Sequence, residues 1–166
     1  MSIYLVVPLL AAIGLLQTTI VPHLVIMGVF PNLPLLVVVS WSLLRGTREG
    51  IVWAFVAGVV VDLFSGAPFG AATLSMIAAA ALSGLGQATV LRAQMVLPLV
   101  AMFLVTVVYE LLFLLIVRIA GQSVAWLDSL FHVVAPAALL NTLLMPIVLG
   151  GLRILHNRLG REEMEW

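Results

Sequence analysis

Two carboxylates, Asp62 and Glu110, stand within long apolar runs. An ionisable group at membrane depth is costly, so each is a functional candidate by default. Asp62 sits in Val59-Val60-Val61-Asp62-Leu63-Phe64 and Glu110 in Val108-Tyr109-Glu110-Leu111-Leu112. One chemistry open to them is a proton or ligand site facing a cavity. The other is structural: each accepts hydrogen bonds from nearby backbone or from Arg118 and so pins helices together. The structural reading is favoured, because proton coupling usually runs through a relay of such groups. At about 1.5 Å per residue, Glu110 lies roughly 24 Å along its helix from Gln94, near the outer interface. Gln17, with Thr18 and Thr19, and Asn141 are the other polar residues in apolar surroundings. They suit interhelical hydrogen bonds, typically under about 2 kcal/mol each.

Other chemistries find no support. The chain has no cysteine, hence no thiolate nucleophile or disulfide. His23, His132 and His156 are far apart and lack metal-ligand spacing. No serine is paired with His or Lys at a plausible spacing, so an intramembrane enzyme is disfavoured, and no catalytic residue, cofactor or metal is assigned. A net charge of zero offers no basic face for nucleic acid.

The elements that position these residues follow from composition. Hydrophobic residues make up 64% and charged residues 8% of 166, whereas soluble domains are about a quarter charged. So little polar surface cannot cover an exterior facing water, and the apolar excess is expected to face a lipid bilayer. The expectation is an all-α membrane protein, one integral domain over residues 1–166. Six transmembrane helices are expected at about 3–20, 33–44, 50–64, 71–90, 94–119 and 130–154. The start, Met1-Ser2-Ile3-Tyr4, lacks the basic region of a secretory signal, so the first segment reads as a retained helix. The second is short and is introduced by Pro31-Asn32-Leu33-Pro34, whose prolines suit a helix start. Ser65-Gly66-Ala67-Pro68-Phe69-Gly70 reads as a turn after the third.

With both termini cytoplasmic, Arg45, Arg48, Arg92, Arg153, Arg158 and Arg161 fall inside and only Arg118 outside, as the positive-inside rule favours. Ala54, Gly58, Asp62 and Gly66 recur every four residues, a stripe along which another helix can approach closely. Ala78 to Ala81, Gly84 and Gly86 offer the same in the fourth segment. Pro8, Pro98, Pro136 and Pro146 can kink their helices and suggest a bundle shaped around a groove.

The order Pro31-Asn32-Leu33-Pro34, then Gly50, Gly58, Asp62, Gly66, Pro68 and Gly70, resembles the MreD family of rod shape-determining proteins. The family turn, G-x-x-x-D-[LI]-x-x-G-x-P-x-G, is matched in full from Gly58 to Gly70. The resemblance implies a multi-pass protein of the bacterial inner membrane with a fold like the S components of vitamin transporters. It also implies a scaffold role in the cell-elongation complex that supports lateral peptidoglycan synthesis. The partner would be an MreC-like single-span protein, within a wider assembly of MreB, RodA and a penicillin-binding protein.

Physically, the Asp62 carboxylate is expected to accept hydrogen bonds from the amides of the following turn. Gly66 and Gly70 would permit backbone angles closed to other residues. The competing function is capture of a small molecule such as a vitamin, in an outer cavity rimmed by Glu110, Asn141, Trp126 and Asp128.

Overall fold

The computed structural model describes residues 3–19, 29–86 and 96–162, and every regular element among them is helical. In chain order these are α1 (Ile3–Thr19), α2 (Leu33–Arg45), α3 (Thr47–Ser65), α4 (Ala71–Leu85) and α5 (Val96–Ile119). A last rod joins α6 (Trp126–Ser129), a π-helical turn (Leu130–Val134) and α7 (Ala135–Glu162).

The helix ends differ from the expected span ends at four places, one of them the last helix, which runs to Glu162 rather than Ile154. α3 begins at Thr47 rather than Gly50, because Gly46 alone turns the chain from α2 into α3. Its φ of 90° lies in the left-handed region, and its N–H bonds to the carbonyl of Ser42 at 2.8 Å. α4 ends at Leu85 rather than Val90, where the Gly86 N–H turns back to Ser83. The final rod is helical from Trp126 rather than Leu130, since Asp128 sits in a first helical turn, where an acid suits the helix dipole. Ile20, Pro22, His23, residues 87–90, Arg92 and Gln94 lie outside the described residues, as do the side chains of Thr18, His156, Arg158 and Arg161.

α2 is the centre of the bundle. Leu35, Leu36, Val38, Val39, Trp41 and Leu43 have no exposed surface, and they point in all directions around the helix. A helix that is apolar all round belongs inside. Its neighbours are antiparallel α3, with Gly50 against Ser42, and parallel α7, with Ser40 Oγ at 3.3 Å from Met145 Sδ. At the Gly46 end, Trp41 stacks on Trp53 with ring centroids 4.4 Å apart. Trp41 donates to Glu49 at 3.2 Å, and Arg45 lies over its ring.

α3 and α4 form a tight antiparallel hairpin, closed at one end by Gly58 against the Thr73 backbone and at the other by Gly84 against Thr47. Of the expected small-residue stripe, Ala54, Gly58 and Asp62 are buried, while Gly66 lies beyond the helix as its left-handed cap, with φ 67°.

The outer helices leave large apolar side chains uncovered: Phe55 and Leu63 on α3, Leu74 and Leu82 on α4, Leu104 and Leu115 on α5, Leu143 and Ile147 on α7. Val96–Ile119 and Trp126–Ile154 are long and apolar enough to cross a membrane. The helices are also unequal. α2 has 13 residues, about 20 Å, whereas α5 has 24, about 36 Å. Pro98 and Leu99 near the start of α5 share a small groove with Leu149 and Arg153 of α7. Tyr109, midway along α5, lines the same recess as Asn32 at the start of α2. The second half of α5 therefore stands about 15 Å past the end of α2.

Candidate functional site

Two polar nodes sit at the end of the bundle away from Gly46. The first is built on Asp62, one turn before α3 ends. Its Oδ2 accepts from the Gly70 N–H at 3.0 Å, the Thr73 N–H at 3.0 Å and the Thr73 hydroxyl at 2.6 Å. Oδ1 accepts from the Ala72 N–H at 2.9 Å. Three of these donors belong to the first turn of α4, whose N–H groups have no partners within the helix. The carboxylate thus caps α4 from the neighbouring helix and balances the positive end of its dipole. Gly70 enters α4 with φ 96°, and Pro68 accepts the Ala71 N–H at 3.1 Å. Gly58 lies one turn below, where its missing side chain admits Thr73.

The second node holds the entry to α2. Asn32 caps that helix, its Oδ1 accepting the Leu35 N–H at 3.1 Å, with Pro34 in the first turn. Gln17 of α1 grips the same strand of backbone from one side: its Nε2 donates to the Pro31 carbonyl at 3.0 Å and its Oε1 accepts the Leu33 N–H at 2.9 Å. From the other side, Asn141 Oδ1 of α7 accepts the Asn32 N–H at 3.0 Å. Residues that are 109 positions apart in sequence therefore satisfy one irregular stretch of buried backbone. Such a stretch needs partners, because an unpaired buried donor or acceptor costs about 1–3 kcal/mol.

Gln17→Leu is accordingly expected to destabilise the protein by roughly 2 to 4 kcal/mol, since it orphans both Pro31 C=O and Leu33 N–H. Asn141→Leu removes one acceptor and should cost about half of that. Thermal midpoints of purified protein in detergent check the ranking; equal midpoints for both variants and the parent would refute this account of the node.

Between the nodes and the projecting half of α5 is an open recess of about 380 Å³. Gln17, Asn32 and Tyr109 face it from the polar side, with Phe30, Phe64, Ser65 and Phe113 around it and Glu110 on its α5 wall. Two expectations are corrected here. The cavity is not rimmed by Asn141, Trp126 or Asp128. Asn141 is fully buried beneath the α2 entry, and Asp128 faces outward, 3.0 Å from His132 Nδ1. Arg118 pairs with neither carboxylate: it is two turns beyond Glu110, and its Nη1 is 3.5 Å from the Val124 carbonyl.

Thr73, Tyr109 and the three phenylalanines were not singled out from sequence. Thr73 left a signal, as a hydroxyl in the first turn after the motif, but the aromatics look like any other apolar residues in such a chain. Among the described residues, no three His, Asp or Glu side chains gather as a metal set. The polar groups mostly hold backbone.

The class defined by these features is a helical bundle of membrane type, with many of its polar side chains holding backbone and a partly polar recess open beside them. A family model described as rod shape-determining protein MreD matches residues 1–155, and the chain belongs to that family. Membership implies a role in determining rod shape, within the rod-shape complex. No individual curated protein and no solved structure matches the chain.

Proposed function

We propose that this protein is a scaffold of the cell-elongation complex in the bacterial inner membrane, and that its recess receives an MreC-like single-span partner. In this reading the helices cross the bilayer about six times in an S-component-like bundle, α6, the π-helical turn and α7 making the last crossing, with both termini cytoplasmic. Partner capture would link the chain to the wider MreB, RodA and penicillin-binding-protein assembly and so to lateral peptidoglycan synthesis.

Several observations support it. The uncovered apolar side chains on α3, α4, α5 and α7 would be unfavourable in water and suit lipid. Arg45 and Arg48 at the α2–α3 corner and Arg153 in the second half of α7 lie at the end opposite the recess, and the positive-inside rule favours that end as the cytoplasmic one. α2 is too short to cross about 30 Å alone. Irregular backbone completes it, and backbone of that kind is tolerated at membrane depth only where protein satisfies it. Gln17 and Asn141 supply that satisfaction.

The observation carrying the proposal is the recess itself. α2 and α3 stop short while α5 continues, so a volume on the outer side is left for a partner segment. A bulky side chain placed there tests it. Ser65 is exposed at the recess mouth, and Ser65→Trp is expected to cut co-purification of the single-span partner more than tenfold, with membrane levels of the protein unchanged. Undiminished co-purification would refute docking in the recess. Thermal stabilisation by a member of a vitamin panel, abolished by the same substitution, would instead establish small-molecule capture.

A further inference from the structure

Resting on that docking reading, we infer that Glu110 is the counter-charge for a basic side chain of the docked partner. Most of the other polar groups around the recess are already engaged. Gln17 uses both amide atoms on the α2 entry. The Asn32 side-chain oxygen caps α2. Ser65 Oγ accepts the Ala67 N–H at 3.3 Å. Asp62, the nearest other carboxylate on α3, has both oxygens filled by four donors of the α3–α4 turn.

Glu110 has neither hydrogen bond nor ion pair among the described residues, although it is partly buried. Among the described residues, the arginines are elsewhere. Arg45 pairs with Glu49 at the opposite end, at 3.7 Å. Arg118 is exposed beyond Glu110 and turned to Val124. A partly desolvated carboxylate without a partner is costly to keep, and a bound cation relieves that cost.

The walls select the same ligand. Phe30, Phe64 and Phe113 share the recess with the carboxylate. Aromatic faces carry negative potential and attract ammonium and guanidinium groups, by about 0.5–2 kcal/mol each when well placed. Their apolar rings also accommodate the methylene stem of lysine or arginine. Anionic groups would meet an unscreened negative charge, and a purely apolar side chain would leave Glu110 unpaired. A partner segment with an arginine or lysine just outside its membrane span satisfies both features at once.

The test is a double-mutant cycle across the complex. Purified protein and Glu110→Gln are titrated with the full-length single-span partner in nanodiscs, in the parent form and with each basic residue of its outer juxtamembrane segment changed singly to glutamine. Glu110→Gln is expected to weaken binding about tenfold, the effect of losing about 1.4 kcal/mol. Glu110→Asp should retain most of the affinity, with thermal midpoints of both variants near the parent. One basic residue of the partner should give the same loss on its own and no further loss when combined with Glu110→Gln. Unchanged binding by Glu110→Gln, or losses that multiply for every basic residue, would overturn the inference. If Ser65→Trp still blocks binding in that case, docking in the recess stands without the charge pairing. If Ser65→Trp binds normally, the docking reading itself has failed.

Discussion

Asp62→Ala is expected to remove most of the folded protein from the membrane, because one carboxylate satisfies four donors at the corner of α3 and α4. Asp62 is only 5% exposed, so water cannot readily take its place. Each buried donor left unpaired costs about 1–3 kcal/mol, and four of them approach the whole stability of an ordinary domain, about 5–15 kcal/mol. Asp62→Asn is milder. Oδ2 now accepts three donors and Oδ1 one, so whichever way the amide turns, its NH₂ faces at least one backbone N–H. A loss of roughly 2–3 kcal/mol is expected for it. Thr73→Val keeps the three amides and loses only the 2.6 Å hydroxyl bond, at a cost of about 1.5–3 kcal/mol for a bond to a charged group.

The series is read by membrane abundance and by thermal midpoint in detergent. The parent should be most stable, Thr73→Val and Asp62→Asn lower, and Asp62→Ala lowest by a wide margin. An Asp62→Ala protein with the parent midpoint would end the view of this residue as a cap. Asp62→Asn that folds normally and binds its partner normally, but loses a transported or bound small molecule, would assign Asp62 a chemical role instead.

The Asp62 corner could be anticipated because its parts are adjacent in the chain: an acid, a glycine, a proline and a glycine within nine positions allow little but a turn onto the acid. That Thr73 completes it was less visible, since it depends on how closely Gly58 lets α4 approach. Gln17 and Asn141 stood out as polar residues in apolar runs. Their common target did not, because three helices must be packed before the Pro31–Leu33 backbone is seen to need outside partners. The centrality of α2 was hidden for a different reason. In a soluble protein an all-apolar helix announces its burial, but here nearly every helix is apolar, and hydropathy cannot separate a side chain facing lipid from one facing protein. The same ambiguity misplaced the cavity rim. Trp126 and Asp128 are close to the last helix in sequence, yet the recess arises from unequal helix ends, a property of several elements together.

Glycine substitutions should divide sharply by what each missing side chain admits. A Cβ at Gly58 would collide with the Thr73 backbone, and one at Gly84 would lie 2.5 Å from Thr47 N and Cα. Backbone cannot rotate away as a side chain does, so α3 and α4 would be wedged apart. Overpacking of this kind costs about 1–3 kcal/mol, and the upper end is expected for Gly58→Ala and Gly84→Ala. Gly50→Ala meets Ser42 Oγ and, at 2.7 Å, Ser42 Cβ, which no side-chain rotation moves away, so a loss of similar size follows. Gly66→Ala and Gly70→Ala have open space around them but φ of 67° and 96°, a backbone penalty of about 1–2 kcal/mol without any packing clash.

Gly150→Ala and Gly151→Ala meet nothing within 4 Å. They gain helix propensity of about 1 kcal/mol and should be neutral or stabilising. Because Gly58 and Gly84 close opposite ends of the α3–α4 hairpin, their losses should add within about 0.5 kcal/mol in the double variant. Thermal midpoints across these seven positions measure the packing directly. A flat series would mean that α3 and α4 do not approach as closely as Gly58 and Gly84 allow, and the Asp62 cap, which depends on that approach to reach Thr73, would lose its basis as well.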